Sequence, residues 1–233
     1  MGTRRVIVVG MVAAAMLAGG YLSWRFVWFF RDPPRTPPPE EGILSPADGT
    51  VVYVRRVAPG EEVVAIKQGV RATIRDILRE DVNEPKIVIG IFMSPFDVHY
   101  NRAPLAATVG FIRRHPALGE NAHMGAMHWR TLTHHAPYYE DSVHIVQNER
   151  TVTRLVGEYR GAPLSCYVVQ IGARTVNGID SYYQVGQRVE RGATFGMIRI
   201  GSQVDLIVPS RPGLEVRVSP GDTVRAGETI LIR

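Results

Sequence analysis

A single cysteine stands in the chain, and the lack of a second excludes any intrachain disulfide. Cys166 lies in the apolar run LSCYVVQI with no catalytic-thiol motif around it, so it is expected to pack in the core. Charge is missing from residues 6–24, VIVVGMVAAAMLAGGYLSW, which excludes a surface helix and leaves a run long enough to cross a bilayer of roughly 30 Å. No proline-rich break comes after Gly42, so residues 42–233 are expected to form one globular domain. A helical hairpin and a nucleic-acid-binding motif are both lacking, and no nucleic acid partner is expected. His123, His128, His134 and His135 lie close in sequence without the i,i+4 pair, cysteines or acidic pattern of a metal site, and no metal is expected.

The residues that are present divide the chain in three. Residues 1–30 read as a membrane anchor: the uncharged run exceeds the core of a cleaved signal peptide and passes into Trp24, Phe26, Trp28, Phe29 and Phe30, an aromatic belt suited to the membrane–water boundary. Arg25, Arg31 and Arg35 outnumber Arg4 and Arg5, which puts the C-terminal side in the cytoplasm. Residues 31–41, RDPPRTPPPEE, are too rich in proline for helix or central strand and read as a stiff spacer. The remainder is mainly β (α+β) in texture. TVVYV (50–54), KIVIGIFM (86–93), CYVVQIG (166–172) and MIRIG (197–201) are short, branched or aromatic, and bounded by turn residues. VRATIRDILRE (70–80) carries the best helical pattern. An apolar fraction of 45% supports a real core, and a formal charge of +5 suits an anionic partner such as an acidic lipid surface.

One repeat stands out. GQRVERGATFGMI (186–198) and GDTVRAGETILIR (221–233) align as Gly-x-x-Val-x-x-Gly and then an apolar strand, the pattern of sandwich elements in lipoyl- or biotinyl-carrier-like domains. Between the copies lies MIRIGSQVDLIVP (197–209). Read as one extended strand, it places Ile198, Ile200, Ser202, Val204, Leu206 and Val208 on one face. Ser202 interrupts that face directly after Gly201, a residue that permits strained backbone. A serine hydroxyl there is set to attack the preceding carbonyl, moving the acyl group from nitrogen to oxygen; elimination of the ester then leaves dehydroalanine, which hydrolyses to a pyruvoyl group and ammonia. A base and an orienting group are needed. Candidates are Asp48, in the turn SPADG, and Asp97 and His99, two apart in IFMSPFDVHYNRAP (91–104).

SPADGTV, FMSPFDVHYNRAP and IGSQVDLIVP, in this order, resemble the phosphatidylserine decarboxylase family, and FFRDPPR (29–35) and IGARTVNGI (171–179) resemble segments of its short bacterial form. The resemblance implies self-cleavage at Gly201–Ser202 into a β chain, 1–201, and an α chain, 202–233, that stay associated. Ser202 becomes a pyruvoyl group that forms a Schiff base with the substrate amine, so neither pyridoxal phosphate nor a metal is required. Asp48 and His99 assist. Many members carry a second histidine where this chain has Arg102, and both Arg102 and Asp97 are candidates for substrate contact. The implied partner is a membrane phospholipid at the bacterial cell membrane, with the catalytic domain on its cytoplasmic face; the sequence leaves homo-oligomerisation open. Two further readings stand beside this one: a non-enzymatic membrane-anchored adaptor with a lipoyl-like domain, and a pyruvoyl decarboxylase for a different amine.

Overall fold

The computed structural model describes residues 2–233 except 68, 81, 175–177 and 200, in two compact units, 1–33 and 34–233. In the first, α1 (Gly2–Ser23) runs into a wider π turn over Trp24–Trp28. Arg5–Trp28 is long and apolar enough to cross a membrane. At its C-terminal end the Arg31 guanidinium lies 3.3 Å from the Trp28 ring centroid and that of Arg25 5.3 Å from Phe26. Such gathered cations and aromatics suit an interface.

The second unit is built on strands buried on both faces. In KIVIGIFM (86–93), Ile87, Ile89, Ile91 and Met93 enter one core while Val88 and Phe92 enter another on the opposite face. In chain order there are three segments. The first holds β1 (Ile43–Leu44), β2 (Gly49–Val57), the hairpin of β3 (Glu62–Lys67) and β4 (Val70–Thr73), α2 (Ile74–Leu78) and β5 (Lys86–Met93). The second holds β6 (Tyr100–Arg102), β7 (Ala107–His115), α3 (Gly125–Leu132), α4 (His144–Gln147), β8 (Arg150–Tyr159), β9 (Ala162–Gly172), β10 (Ile179–Ser181), β11 (Arg188–Val189) and β12 (Thr194–Ile198). The third holds β13 (Ser202–Pro209), β14 (Thr223–Val224) and β15 (Ile230–Ile232).

The main sheet has the order β11-β7-β8-β9-β13-β5-β2-β14, antiparallel throughout. That order is symmetric about the β9–β13 pair, and the hydrogen bonds repeat accordingly. Gly186 and Gly221 donate to Val109 and Val51; Gly192 and Gly227 donate to Ala103 and Ser45. Across the axis, Leu44 donates to the Pro104 carbonyl and Arg102 to that of Pro46, at 2.9 and 3.0 Å. SPADGTV (45–51) and APLAATV (103–109) thereby occupy equivalent turns, and the repeat at 186–198 and 221–233 supplies a two-residue strand to each sheet edge. Short edge strands limit pairing with other chains. The half spanning 100–198 is thus inserted into a half made of 43–93 and 202–233. The chain passes between halves only at 94–99 and 199–201.

Three expectations change. MIRIGSQVDLIVP (197–209) is not one strand: β12 ends at Ile198 in a small sheet with β6 and β10, and β13 starts at Ser202 in the main sheet. Gly201, at φ 69°, makes the break; Ile200 lies outside the described residues. VRATIRDILRE is strand over 70–73 and helix only from Ile74. The Asp76 carboxylate accepts from both the backbone and the hydroxyl of Thr73, which fixes the start of the helix there. The proline-rich run differs too. From Pro34 it belongs to the folded unit, because the Arg191 guanidinium donates to the carbonyls of Pro38, Glu40 and Gly42, groups that a polyproline backbone leaves unbonded.

Gly49 closes the turn onto β5. A Cβ there would lie 2.1 Å from the Phe92 carbonyl oxygen, at a φ of 147°. Gly49→Ala is therefore expected to cost about 3 kcal/mol, read as a fall in the unfolding midpoint of the solubilised full chain.

Candidate active site

The two crossings between halves bring the chemistry-bearing residues together. Ser202 is the first residue of β13, flanked by Met93 of β5 and Gly172 of β9. It is fully buried, and its hydroxyl lies 3.3 Å from the Met93 sulfur, a weak acceptor that leaves most of its bonding capacity unspent. The preceding carbonyl, that of Gly201, accepts a hydrogen bond from the Ala173 backbone N–H at 3.1 Å. A donor on this oxygen would stabilise the negative charge that develops there if the carbonyl carbon is attacked.

The other crossing folds over the same place. Asp97 accepts from the Ser94 N–H at 2.7 Å and so fixes its own turn. His99 is buried, its carbonyl accepts from Ile198, and its Nδ1 lies 2.9 Å from the Asp97 carbonyl. Since a carbonyl can only accept, Nδ1 carries a hydrogen, and Nε2 is the ring atom left for proton exchange. Asn101 donates towards the Met93 sulfur and the Pro46 carbonyl, at 3.9 and 3.4 Å, and accepts from Gln170 at 2.7 Å. These bonds link β6 to the 45–49 turn, to the end of β5 and to β9.

Asp48 takes a bond from the Ala226 N–H and an ion pair from Arg35, both at 2.7 Å; Arg35 also reaches Glu228 at 2.9 Å. Burial raises the Asp48 carboxyl above its ordinary range, the Ala226 N–H and Arg35 pull it back, and the nearby Asp97 charge adds to the rise. Arg102 is buried and donates to the Gly192 carbonyl at 3.1 Å, against Gly227. That geometry makes it a tie between the two copies of the repeat.

Beside the Gly201–Ser202 bond opens a pocket of about 400 Å³, lined by Phe92, Pro95, Met124, His128, Ala173 and Gly201. A buried serine after a glycine in the left-handed conformation, with a donor on the intervening carbonyl, is an arrangement suited to acyl chemistry on the backbone itself, and His99 and Asp48 are the candidate base and carboxylate on neighbouring segments. Comparison with known proteins agrees in kind. The family model of phosphatidylserine decarboxylase matches residues 22–232. The chain belongs to the phosphatidylserine decarboxylase family. Similar family members include phosphatidylserine decarboxylase proenzymes of Chlorobium limicola, 30% identical over all of this chain and 90% of that one, and of Symbiobacterium thermophilum, 35% identical over 94% and 82%. A Methanopyrus kandleri chain, provisionally named archaetidylserine decarboxylase proenzyme, is 34% identical over 88% and 80%. Membership in a decarboxylase family removes the adaptor reading.

Sequence reasoning missed a second feature of this decarboxylase-family fold. On the face of β13 opposite Ser202, His144 Nε2 donates to Gln203 Oε1 at 2.9 Å. Gln203 donates to the Tyr53 hydroxyl and to Asp205, both at 2.7 Å, and Tyr53 donates to the other Asp205 oxygen at 2.9 Å. All four side chains are buried. The signal was the polar alternation Gln203-x-Asp205 within an apolar strand. Cys166, by contrast, packs as expected, its thiol pushed up to about 12 by burial.

Burial lowers His144 to about 4 and raises Asp205 to about 6. From pH 6.5 down to 4 the unfolded histidine binds a proton that the folded one refuses, so that contribution to stability falls with pH. From pH 6 down to 3.8 the folded Asp205 holds a proton that the unfolded one has lost, so its contribution rises as pH falls. The two oppose each other. Asp205→Asn should therefore make stability fall more steeply with acidification, by about 1.4 kcal/mol per pH unit, and His144→Gln should change the slope in the opposite sense; denaturant unfolding across this range measures both.

Proposed function

We propose that this chain is a proenzyme that cuts itself between Gly201 and Ser202 and then removes carbon dioxide from the serine headgroup of a membrane phospholipid, leaving ethanolamine. The observation that carries the reading is the Gly201 carbonyl, which accepts from Ala173 next to a buried serine hydroxyl whose partner among the described residues is a sulfur. Attack by Ser202 Oγ on that carbonyl carbon forms the C–O bond, breaks the C–N bond and yields an ester. Loss of the Ser202 α-proton expels the Gly201 carboxylate, and water then replaces the nitrogen as ammonia. His99 is the base for these proton transfers. Asp48, fixed by Ala226 and Arg35, lies near enough to that crossing to feel the Asp97 charge and is the carboxylate that assists.

The residues fit the group that results. Ser202 sits in an apolar surround that disfavours charge, and position 202 borders the pocket through Gly201. A pyruvoyl group supplies a ketone that condenses with a primary amine and an adjacent carbonyl that accepts the electron pair as carbon dioxide leaves. His99 would return a proton to the carbon that lost the carboxylate. The cut need not separate the chains: Val204, Leu206, Ile207 and Val208 stay buried in the sheet, each contributing about 1.5–3 kcal/mol.

The names of these relatives share a serine-bearing lipid headgroup, which supports that headgroup as substrate and leaves the hydrocarbon part unassigned. The apolar N-terminal helix supports a membrane location, with the basic flank at Arg25, Arg31 and Arg35 on the cytoplasmic side.

Ser202→Ala is expected to abolish carbon dioxide release from serine-headgroup lipid, and Asp48→Asn to slow self-cleavage on the order of 100-fold. In the parent chain, borohydride added during turnover should attach the lipid to the C-terminal fragment. Release by Ser202→Ala, or lipid attached elsewhere, would contradict the reading.

A further inference from the structure

We propose that one face of α3 and the tip of the 94–99 loop dock on the membrane around the mouth of the pocket beside Gly201, so that lipid enters from the bilayer surface through that mouth. The proposal rests on the decarboxylase reading and adds the route of the substrate.

Along α3, Gly125, His128, Trp129 and Leu132 stand at i, i+3, i+4 and i+7, which places them on one stripe of the helix. The first two line the pocket. The stripe then continues outward as Trp129 and Leu132, each 65% exposed, while Met127 faces the core. Across the opening, Pro95 lines the same pocket and the adjacent Phe96 is 63% exposed. Trp129 and Leu132 together leave a large apolar surface in water next to residues that line the pocket, and such a surface calls for a cover.

The surroundings select a bilayer. Residues 121–139 contain no Asp or Glu but hold Arg130 and four histidines, which suits an anionic headgroup layer, and Asp141 lies at the edge of this strip in a hollow it shares with Trp129. Arg130 pairs with Glu140 at the edge. Exposed Trp129, Leu132 and Phe96 are of the residue types that interfacial segments place in the headgroup region. The pocket lining is mostly apolar and includes His123, His128 and Gly201. An amphipathic lipid entering headgroup first would keep its hydrocarbon against Phe92, Pro95 and Met124 while the headgroup approaches position 202.

The test uses the full chain in vesicles of serine-headgroup phospholipid. Trp24→Phe with Trp28→Phe leaves Trp129 as the only tryptophan. Its emission should be quenched about twofold by lipids brominated high on the acyl chain, at the roughly 5–10 Å depth an interfacial helix reaches. Emission insensitive to brominated lipid overturns the docking, whether Trp129 stays open to acrylamide or is shielded by a protein partner. In parallel, Trp129→Ser with Leu132→Ser should lower the ratio of carbon dioxide released from vesicle lipid to that from a short-chain, monomeric serine phospholipid about tenfold. An unchanged ratio also overturns it. If the parent releases carbon dioxide from neither substrate, the decarboxylase reading fails, while the quenching result still decides the docking.

Discussion

Everything at the site depends on β13 being hydrogen-bonded along both sides. Ser202 pairs with Met93 on one side and Gly172 on the other, and the ladders continue to Pro209 and Ile207. A strand held in this way cannot slide, so its first residue is fixed to within the tolerance of the sheet. Immediately upstream the chain leaves the sheet through Gly201 in a left-handed conformation. The junction of a clamped strand and a turned backbone sets the serine hydroxyl, the preceding carbonyl and the Ala173 donor in one place. Flexible connections would lose that alignment, on which reactions of neighbouring groups depend.

The internal symmetry of the sheet explains why the site lies where it does. Two halves of like construction share the β9–β13 seam, and each has a Pro-containing turn, three long strands and a short repeat at the edge. Their differences carry the chemistry. Asp48 occupies the turn position that Ala106 has in the other half, and with Arg35 and Ala226 it makes a charged node lacking a counterpart among the described residues. The crossings at 94–99 and 199–201 belong to neither half. The candidate residues Asp97, His99 and Gly201 stand there, outside the sheet's alternation.

Much of this was legible in residue patterns, and the failures have physical causes. Alternating or continuous branched residues identified β5 and β9 because strands buried on both faces have few other compositions. The repeat was visible because tight turns constrain residue type more than strands do. Sheet order was not legible, since a palindromic arrangement depends on long-range pairing that leaves no periodic trace in the chain. Ile198 and Val204 do enter the same core, which is why MIRIGSQVDLIVP read as one strand although it spans two sheets. The hold on residues 34–42 was invisible because Arg191 lies about 150 residues away. Gln203 and Asp205 could have been noticed, but their partners His144 and Tyr53 could not. Candidate site residues were easier to name than the groups that hold them, because residue types suited to chemistry are few and those suited to holding a carbonyl are many.

The central claim is that the backbone breaks at one bond and that the new end has lost its amino group. Intact-mass measurement of the freshly isolated full chain tests it most directly. The account predicts two fragments, one ending at Gly201 and one beginning at position 202, the latter lighter by one ammonia than the same fragment from simple hydrolysis. A single uncut chain of 233 residues in a preparation that releases carbon dioxide would contradict it.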